Sequence, residues 1–441
     1  MGQMTKSSGP GGSPAGAVLD GPSSSNRSTI YLAVAVGAAL LLGAALWFGG
    51  SAIGSLWGGA SAAPNGGNTD IGVSANDIHL GMSTALTGPS KELGLSVKSG
   101  VDACFGDVNA KGGIHGRKLR LTAEDDGYEP MRCKANMAKL REQDKVFAVI
   151  GNVGTPTAEQ ALPYALSKQM IFFGAYTGAP LLRKTPPDRY VFNYRASYAE
   201  ETAAMVSYLV QRRKIEVGHI AVFSQNDGYG EAGYQGVAKA VTQLGGDPNK
   251  IIRVKYERNT EAVEDAAAEI VRNRQQVKAV IMVPTYKPAA KFIKLCKDQN
   301  LDAVFCPVSF VNSEALVEAL RAYGPNYFEG VLVSQVVPHY QYVNPETNDY
   351  NRCMQTYAPG RPLNFASLEG YLAACTFVKA LEKCGPNLTT ERLVQTLESI
   401  DALDLGIGST ISFTPAEHQG SHKVWGVELD SSGRFQPVKL D

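Results

Sequence analysis

Bulk charge is the first thing this 441-residue chain lacks: 42 Lys and Arg balance 42 Asp and Glu. No general field draws it to nucleic acid, so any partner has to be recognised at a local site. Histidine is scarce too. The six residues, His79, His115, His219, His339, His418 and His422, are scattered, and no cysteines stand at C-x-x-C spacing, so neither a metal nor a cofactor is expected. Paired acids or a nucleophile beside a base are equally missing as a convincing arrangement; Asp125-Asp126 reads more simply as a helix-start or hinge cluster, and an enzyme is not expected. No cysteine precedes Cys104, which excludes lipid attachment through a cysteine near the amino terminus. The seven cysteines that follow leave at least one unpaired, and Cys296 with Cys306, at a helix end and in the next strand, is the first candidate pair.

Long apolar runs are rare, with one exception. Residues 30–48 are all apolar or Gly apart from Tyr31, about the length that crosses a hydrocarbon core, and predict a transmembrane anchor or signal segment. A small-residue cleavage site would be expected soon after a signal core, whereas Ala60-Ser61-Ala62 lies well downstream, which favours an uncleaved anchor. Lys6 and Arg27 precede the run and place the bulk of the chain outside the cytoplasm. Residues 1–29, rich in Gly, Ser and Pro, read as disordered, and 49–69 as a flexible Gly/Ser/Ala linker.

From Asp70 onward, short apolar runs alternate with helical periodicity. Ile78 to Leu86 reads as a strand, Val97, Val101, Phe105 and Val108 as one helix face, and the strands Leu119 to Ala123, Val146 to Ile150 and Met170 to Phe173 follow with helices between them. The same grammar restarts after Tyr190 to Tyr194 and runs to Val304–Pro307. The expected fold class is therefore α/β, two doubly wound lobes with parallel sheets. The strand-like Val424 to Leu429 and Phe435 to Val438 are expected to return the chain to the second lobe.

Two stretches invite a site. Val149-Ile150-Gly151-Asn152-Val153-Gly154-Thr155-Pro156-Thr157 is a strand running into a glycine turn and a helix start, with Pro156 suited to the first helical position and Thr155 to the cap. Unpaired N–H groups and the helix dipole there favour a carboxylate or another anion. Gly228-Tyr229-Gly230-Glu231-Ala232-Gly233 fits G-x-G-x-x-G, but the acid expected after the next strand could only be Glu257, which comes late, so close backbone packing is the simpler reading.

Leu86-Thr87-Gly88-Pro89, Asn109-Ala110-Lys111-Gly112-Gly113-Ile114-His115-Gly116-Arg117, Asp125-Asp126-Gly127-Tyr128-Glu129-Pro130, the Gly151–Thr157 turn and Asp227-Gly228-Tyr229-Gly230 occur in this order. As a set they resemble the leucine/isoleucine/valine-binding family of type I periplasmic solute receptors, over most of residues 70–441. The resemblance implies two lobes joined by three hinge crossings, here residues 70–194 with 309–422 and residues 195–308 with 423–441. It also implies that they close over a small-molecule solute and present it to an ABC transporter permease, in a periplasmic or extracytoplasmic position, where the apolar run at 30–48 is expected to be the tether. By the same resemblance Thr155 and Thr177 hold the ligand's carboxylate with the Ala175 carbonyl, and Tyr229, Thr285 and Tyr286 contribute from the other lobe. Ser309 stands where amino-acid-binding members carry a glutamate for the ammonium, which puts an aliphatic amino acid in doubt. Leu93 replaces a common aromatic contact, and the family's early disulfide is replaced by Tyr128 and Gly154. Phe310, Phe365, Tyr128 and Tyr286 are candidates for an aromatic-tolerant pocket. A membrane-anchored ligand-sensing ectodomain, working by the same closure, is the alternative function.

Overall fold

The computed structural model describes residues 70–341 and 345–440. The segments 1–29, 30–48 and 49–69, and with them the expected anchor, lie outside the described residues; among the described residues no helix is long and apolar enough to cross a membrane.

The first lobe opens with β1 (Asp77–Thr84), α1 (Lys91–Ala110), β2 (Lys118–Asp125), α2 (Pro130–Glu142), β3 (Ala148–Ile150), α3 (Thr155–Ser167), β4 (Phe172–Phe173) and β5 (Val191–Phe192). Its five strands lie in the order β2-β1-β3-β4-β5, every pair parallel. Strand runs such as Ala148–Ile150 are buried throughout, as a sheet covered on both faces requires. The second lobe follows with α4 (Tyr198–Gln211), β6 (Ile220–Gln225), α5 (Gly228–Gln243), β7 (Arg253–Tyr256), α6 (Glu264–Arg272), β8 (Ala279–Val283), α7 (Tyr286–Asp298) and β9 (Val304–Pro307), its parallel sheet ordered β7-β6-β8-β9. Serine at 197 caps α4 in a reciprocal capping box with Glu200, which fixes where the chain enters this lobe.

The next segment departs from the expected division. A tight turn at Ser309–Val311 ends with Asn312 at φ 61°, whose side chain accepts from Ala315 N–H and starts α8 (Ser313–Arg321). That helix packs on α7, and β10 (Leu332–Gln335) pairs with β13 (Trp425–Leu429), which pairs with β14 (Phe435–Val438). Phe305 bridges Val331, joining these strands to the second sheet. Residues 309–336, expected in the first lobe, thus pack with α7 and β9 of the second. The return to the first lobe comes later, with α9 (Pro345–Tyr357) and α10 (Phe365–Cys384), both packed on α1, then α11 (Thr390–Leu397), β11 (Leu403–Asp404) and β12 (Thr410–Ile411). Gly420 N–H donates to Asn193 O at 2.7 Å before the chain runs on to β13.

All seven cysteines are free thiols. The expected Cys296–Cys306 bridge does not form: both side chains are packed in the apolar core, and burial pushes the Cys296 thiol up to about 12.

Candidate functional site

In each sheet the neighbours of the first strand lie on both sides of it, so the chain reverses direction of growth there: between β1 and β3 in the first lobe, between β6 and β8 in the second. Crevices at the carboxyl ends of such strands are where open α/β sheets hold ligands. The two lobes bring these ends face to face.

From the first lobe, β3 leads through Gly154, at φ 104° and ψ 153°, into α3. A Cβ on Gly154 would lie 2.3 Å from the Tyr128 ring, so this turn requires glycine on two counts. The positions where the family's early disulfide is expected are thus in contact, ring against backbone. Thr155, expected as the cap, is instead the first helical residue; Gly154 is the cap, and no side chain caps the helix. The left-handed glycine swings the Thr155 hydroxyl away from the helix and toward Thr177, with which it shares a hydrogen bond of 2.7 Å. Thr177 N–H donates to the Ala175 carbonyl at 2.8 Å, so that carbonyl, expected to face the ligand, is engaged within its own turn. Both threonines are buried.

From the second lobe, Tyr229 sits in the first turn of α5, its hydroxyl donating to Pro284 O at 3.2 Å. Its ring lies 4.6 Å from Phe310 and 5.3 Å from Tyr198. Phe310 in turn meets Tyr176 at 5.3 Å and Tyr128 at 6.0 Å, so rings of both lobes form one wall. Thr285 caps α7 by position, and its N–H donates to Tyr256 Oη at 3.0 Å. Tyr286 donates across the cleft to Pro89 O at 2.5 Å. Phe365 is elsewhere: its ring packs against His339, Tyr340 and Phe435, at 5.3, 5.1 and 5.5 Å, and not against the rings of this wall. Leu93 is buried in α1.

The lobes are shut over this site. Gln225 Nε2 donates to Tyr128 Oη at 3.1 Å, Arg258 pairs with Glu129 at 2.9 Å, and Asn259 donates to Gly127 O and Glu129 at 3.1 and 2.7 Å. Asp125 accepts from Leu86 and Thr87 N–H, Thr87 Oγ1, Gly127 N–H and Arg132, tying the Leu86–Pro89 and Asp125–Pro130 motifs into one rim. Those bonds hold its carboxyl well below the usual range against the burial that opposes them. Its neighbour Asp126, buried and accepting from Ser83 Oγ and Tyr128 N–H, is raised to about 6 by burial.

A charged group at the hinge was invisible in the sequence. Glu201 of α4 accepts from Ser309 N–H at 2.9 Å and Ser309 Oγ at 3.0 Å, from Ser334 Oγ at 2.6 Å and from Arg195 at 2.9 Å. One buried carboxylate therefore links the first crossing to the turn after β9 and to β10. Arg195, fully buried, also bonds Ser309 Oγ, faces Glu369 of α10 at 3.6 Å and lies 5.0 Å over the Tyr176 ring. Burial raises Glu369 to about 7 although Arg195 opposes the shift. Ser309 is thus a partner of Glu201 and Arg195, and only the tertiary contact reveals it; an arginine two residues before a helix cap carries no signal of burial.

In the G-x-G-x-x-G stretch, a Cβ on Gly230 would meet Gln225 O at 1.8 Å and one on Gly233 would meet Val283 at 2.5 Å. These glycines serve close packing, as the simpler reading held. Among the described residues no group of His, Cys, Asp and Glu could hold a metal ion.

Comparison with known proteins agrees with this architecture. A family model described as periplasmic binding protein matches residues 77–434, and the chain belongs to that family, in the type I branch of the leucine/isoleucine/valine-binding proteins. The crystal structure of a possible leucine/isoleucine/valine-binding protein from Rhodopirellula baltica SH 1 is 39% identical, with a TM-score of 0.78 over 85% of this chain and 99% of that one. An amino acid binding protein of Pseudomonas aeruginosa is 26% identical over 269 residues, 58% of this chain and 67% of that protein. The Leu/Ile/Val-binding protein homolog 2 of Brucella abortus is 24% identical over 265 residues, 58% and 69% of the two chains. The protein is a solute-binding protein.

Proposed function

We propose that this protein captures a small polar or carboxylate-bearing solute, of the amino acid, amide or aromatic acid type, between its lobes and delivers it to an ABC importer, acting by binding alone and not as an enzyme. It works outside the cytoplasm, held at the membrane by residues 30–48. The observation that carries the reading is the Thr155–Thr177 hydroxyl pair at the start of a helix that no side chain caps, facing an aromatic wall shared by both lobes. Hydroxyls and free helix N–H groups suit an anionic or amide oxygen, and rings suit a flat or apolar body. Tyr229, Thr285, Tyr286, Ser309 and Phe310 close the site from the second lobe, with the turn at Ala175 shaping the first. Relatives named for amino acids support the solute class. Against an aliphatic amino acid stands the ammonium end: Ser309 offers no carboxylate, and Glu201 beside it is already engaged by Arg195, Ser309 and Ser334. A buried ammonium without a carboxylate loses a charge-assisted bond.

Thermal-shift screening of residues 70–441 against amino acids, aromatic acids and amides tests this. A hit should raise the melting temperature of the native sequence and do so far less in Thr155→Ala; no stabilisation by any of these solutes would overturn the reading. Delivery is tested by growth on the identified solute with and without the cognate permease.

A further inference from the structure

The first lobe holds a second chemistry that the binding cycle does not use. Cys104 on α1 and Cys375 on α10 face each other with their sulfurs 3.3 Å apart. The helices that carry them cross unusually closely. One turn before Cys104, a Cβ on Gly100 would lie 1.9 Å from Ser367 O, and one on Gly370 would lie 2.3 Å from Val97 O, so no side chain fits between the backbones. Such an approach brings Cβ atoms into the range a disulfide spans, and the sulfurs need to close by little more than an ångström to reach about 2.05 Å. Access is asymmetric: Cys375 is only partly buried, whereas Cys104 is covered. The remaining thiols are Cys133, Cys296, Cys306, Cys353 and Cys384, all buried; Cys353 meets the Tyr371 hydroxyl at 3.8 Å.

We propose that Cys104 and Cys375 are a disulfide site that staples α1 to α10 inside the first lobe. The oxidant is a disulfide-bearing thiol oxidant of the kind an oxidising compartment supplies, so the proposal for the living cell rests on the extracytoplasmic placement above. The accessible Cys375 thiolate attacks one sulfur of the oxidant's disulfide, forming a mixed disulfide and releasing one oxidant thiolate. The Cys104 thiolate then attacks the Cys375 sulfur and expels the second. Two S–H bonds are exchanged for one S–S bond, the two protons pass to the released thiolates, and the oxidant is reduced to its dithiol form. The contact with Cys375 and then burial raise Cys104 well above the usual thiol range, consistent with its acting second and only at close quarters. The bond closes a sequence separation of 271 residues, where cross-linking restricts the unfolded chain strongly. It lies within one lobe, so hinge motion stays free.

The test uses the full chain purified in detergent, treated with oxidised glutathione or with dithiothreitol. Expected after oxidation are loss of two hydrogens in the intact mass, a single cross-linked peptide pair containing Cys104 and Cys375, and a melting temperature about 5 °C above the reduced form. Cys353→Ser should keep the bond, and Cys375→Ser should abolish both the cross-link and the thermal difference. Thiols that stay free under oxidised glutathione, or a cross-link joining Cys353 to Cys375, would overturn the proposal. The reduced and oxidised native sequences are compared directly, so a poorly folding variant does not blunt the result. Solute affinity should be equal in both forms, which separates failure of the staple from failure of the binding site.

Discussion

The two helix starts that meet across the cleft are built on opposite electrostatic plans. At α3 the cap is Gly154, with no side chain at the N–H groups, and the threonine hydroxyls stand beside it. At α5 the cap is Asp227, whose carboxylate accepts from Tyr229 N–H at 3.0 Å and from Gln225 at 2.6 Å. One helix end is left for an outside anion; the other has already neutralised its own. Under the proposed function this difference would give the site a polarity: the acidic or amide end of a solute would belong to the first lobe, with Tyr229 and Phe310 of the second closing on it. Asp227 is itself raised by burial despite these bonds, which makes a second negative group beside it still less welcome.

The strongest way to break this arrangement is to remove what holds the second lobe's side in place. Glu201→Ala should cost about 3–5 kcal/mol in urea unfolding, because Arg195 would be left buried without its nearest carboxylate. Next comes pH. Glu369 is raised from 4.5 to about 7, so its contribution, up to about 3 kcal/mol, is fully present below pH 4.5 and lost as pH rises through 7. Asp126 at about 6 and Glu314 at about 8 act in the same direction. Glu369→Gln should flatten the fall in stability between pH 5 and pH 8; identical slopes for both proteins would refute the assignment.

Gly154→Ala attacks the first lobe's plan directly. The new methyl meets the Tyr128 ring and the backbone holds φ 104°, for an expected loss of about 2–3 kcal/mol together with loss of solute binding. Thr155→Ala and Thr177→Ala should each weaken solute binding about tenfold by calorimetry, and each should cost about 1–2 kcal/mol in the unliganded protein because the remaining hydroxyl loses its buried partner. Smallest is Asp227→Ala, which removes the α5 cap at about 1 kcal/mol. It sharpens the comparison: if it improves binding of anionic solutes, the polarity given above holds, whereas weaker binding of every solute would reverse it.

Much of this scaffold was legible because periodicity is local. The alternation of apolar strands with helices predicted two parallel sheets, and the strand ends carried Thr155, Tyr229 and Thr285 toward one cleft, since side chains following parallel strands emerge on a common edge. The packing of the segment after 309 was not legible, because it rests on α8 meeting α7 and β10 pairing with β13, contacts between residues far apart in the chain. Phe365 illustrates the same limit from the other side: ring type told nothing of which rings it would meet.

By itself the sequence determined the architecture, the family and the glycine turn before α3, since all three follow from pattern and backbone chemistry within a few residues. Only the tertiary structure decided the partners of Ser309, the burial of Arg195 between Glu201 and Glu369, and the meeting of Cys104 with Cys375. Each of those joins residues far apart in the chain, and the energy of a buried charge or a pair of thiols depends on what folding sets within a few ångströms of it, which no local pattern records.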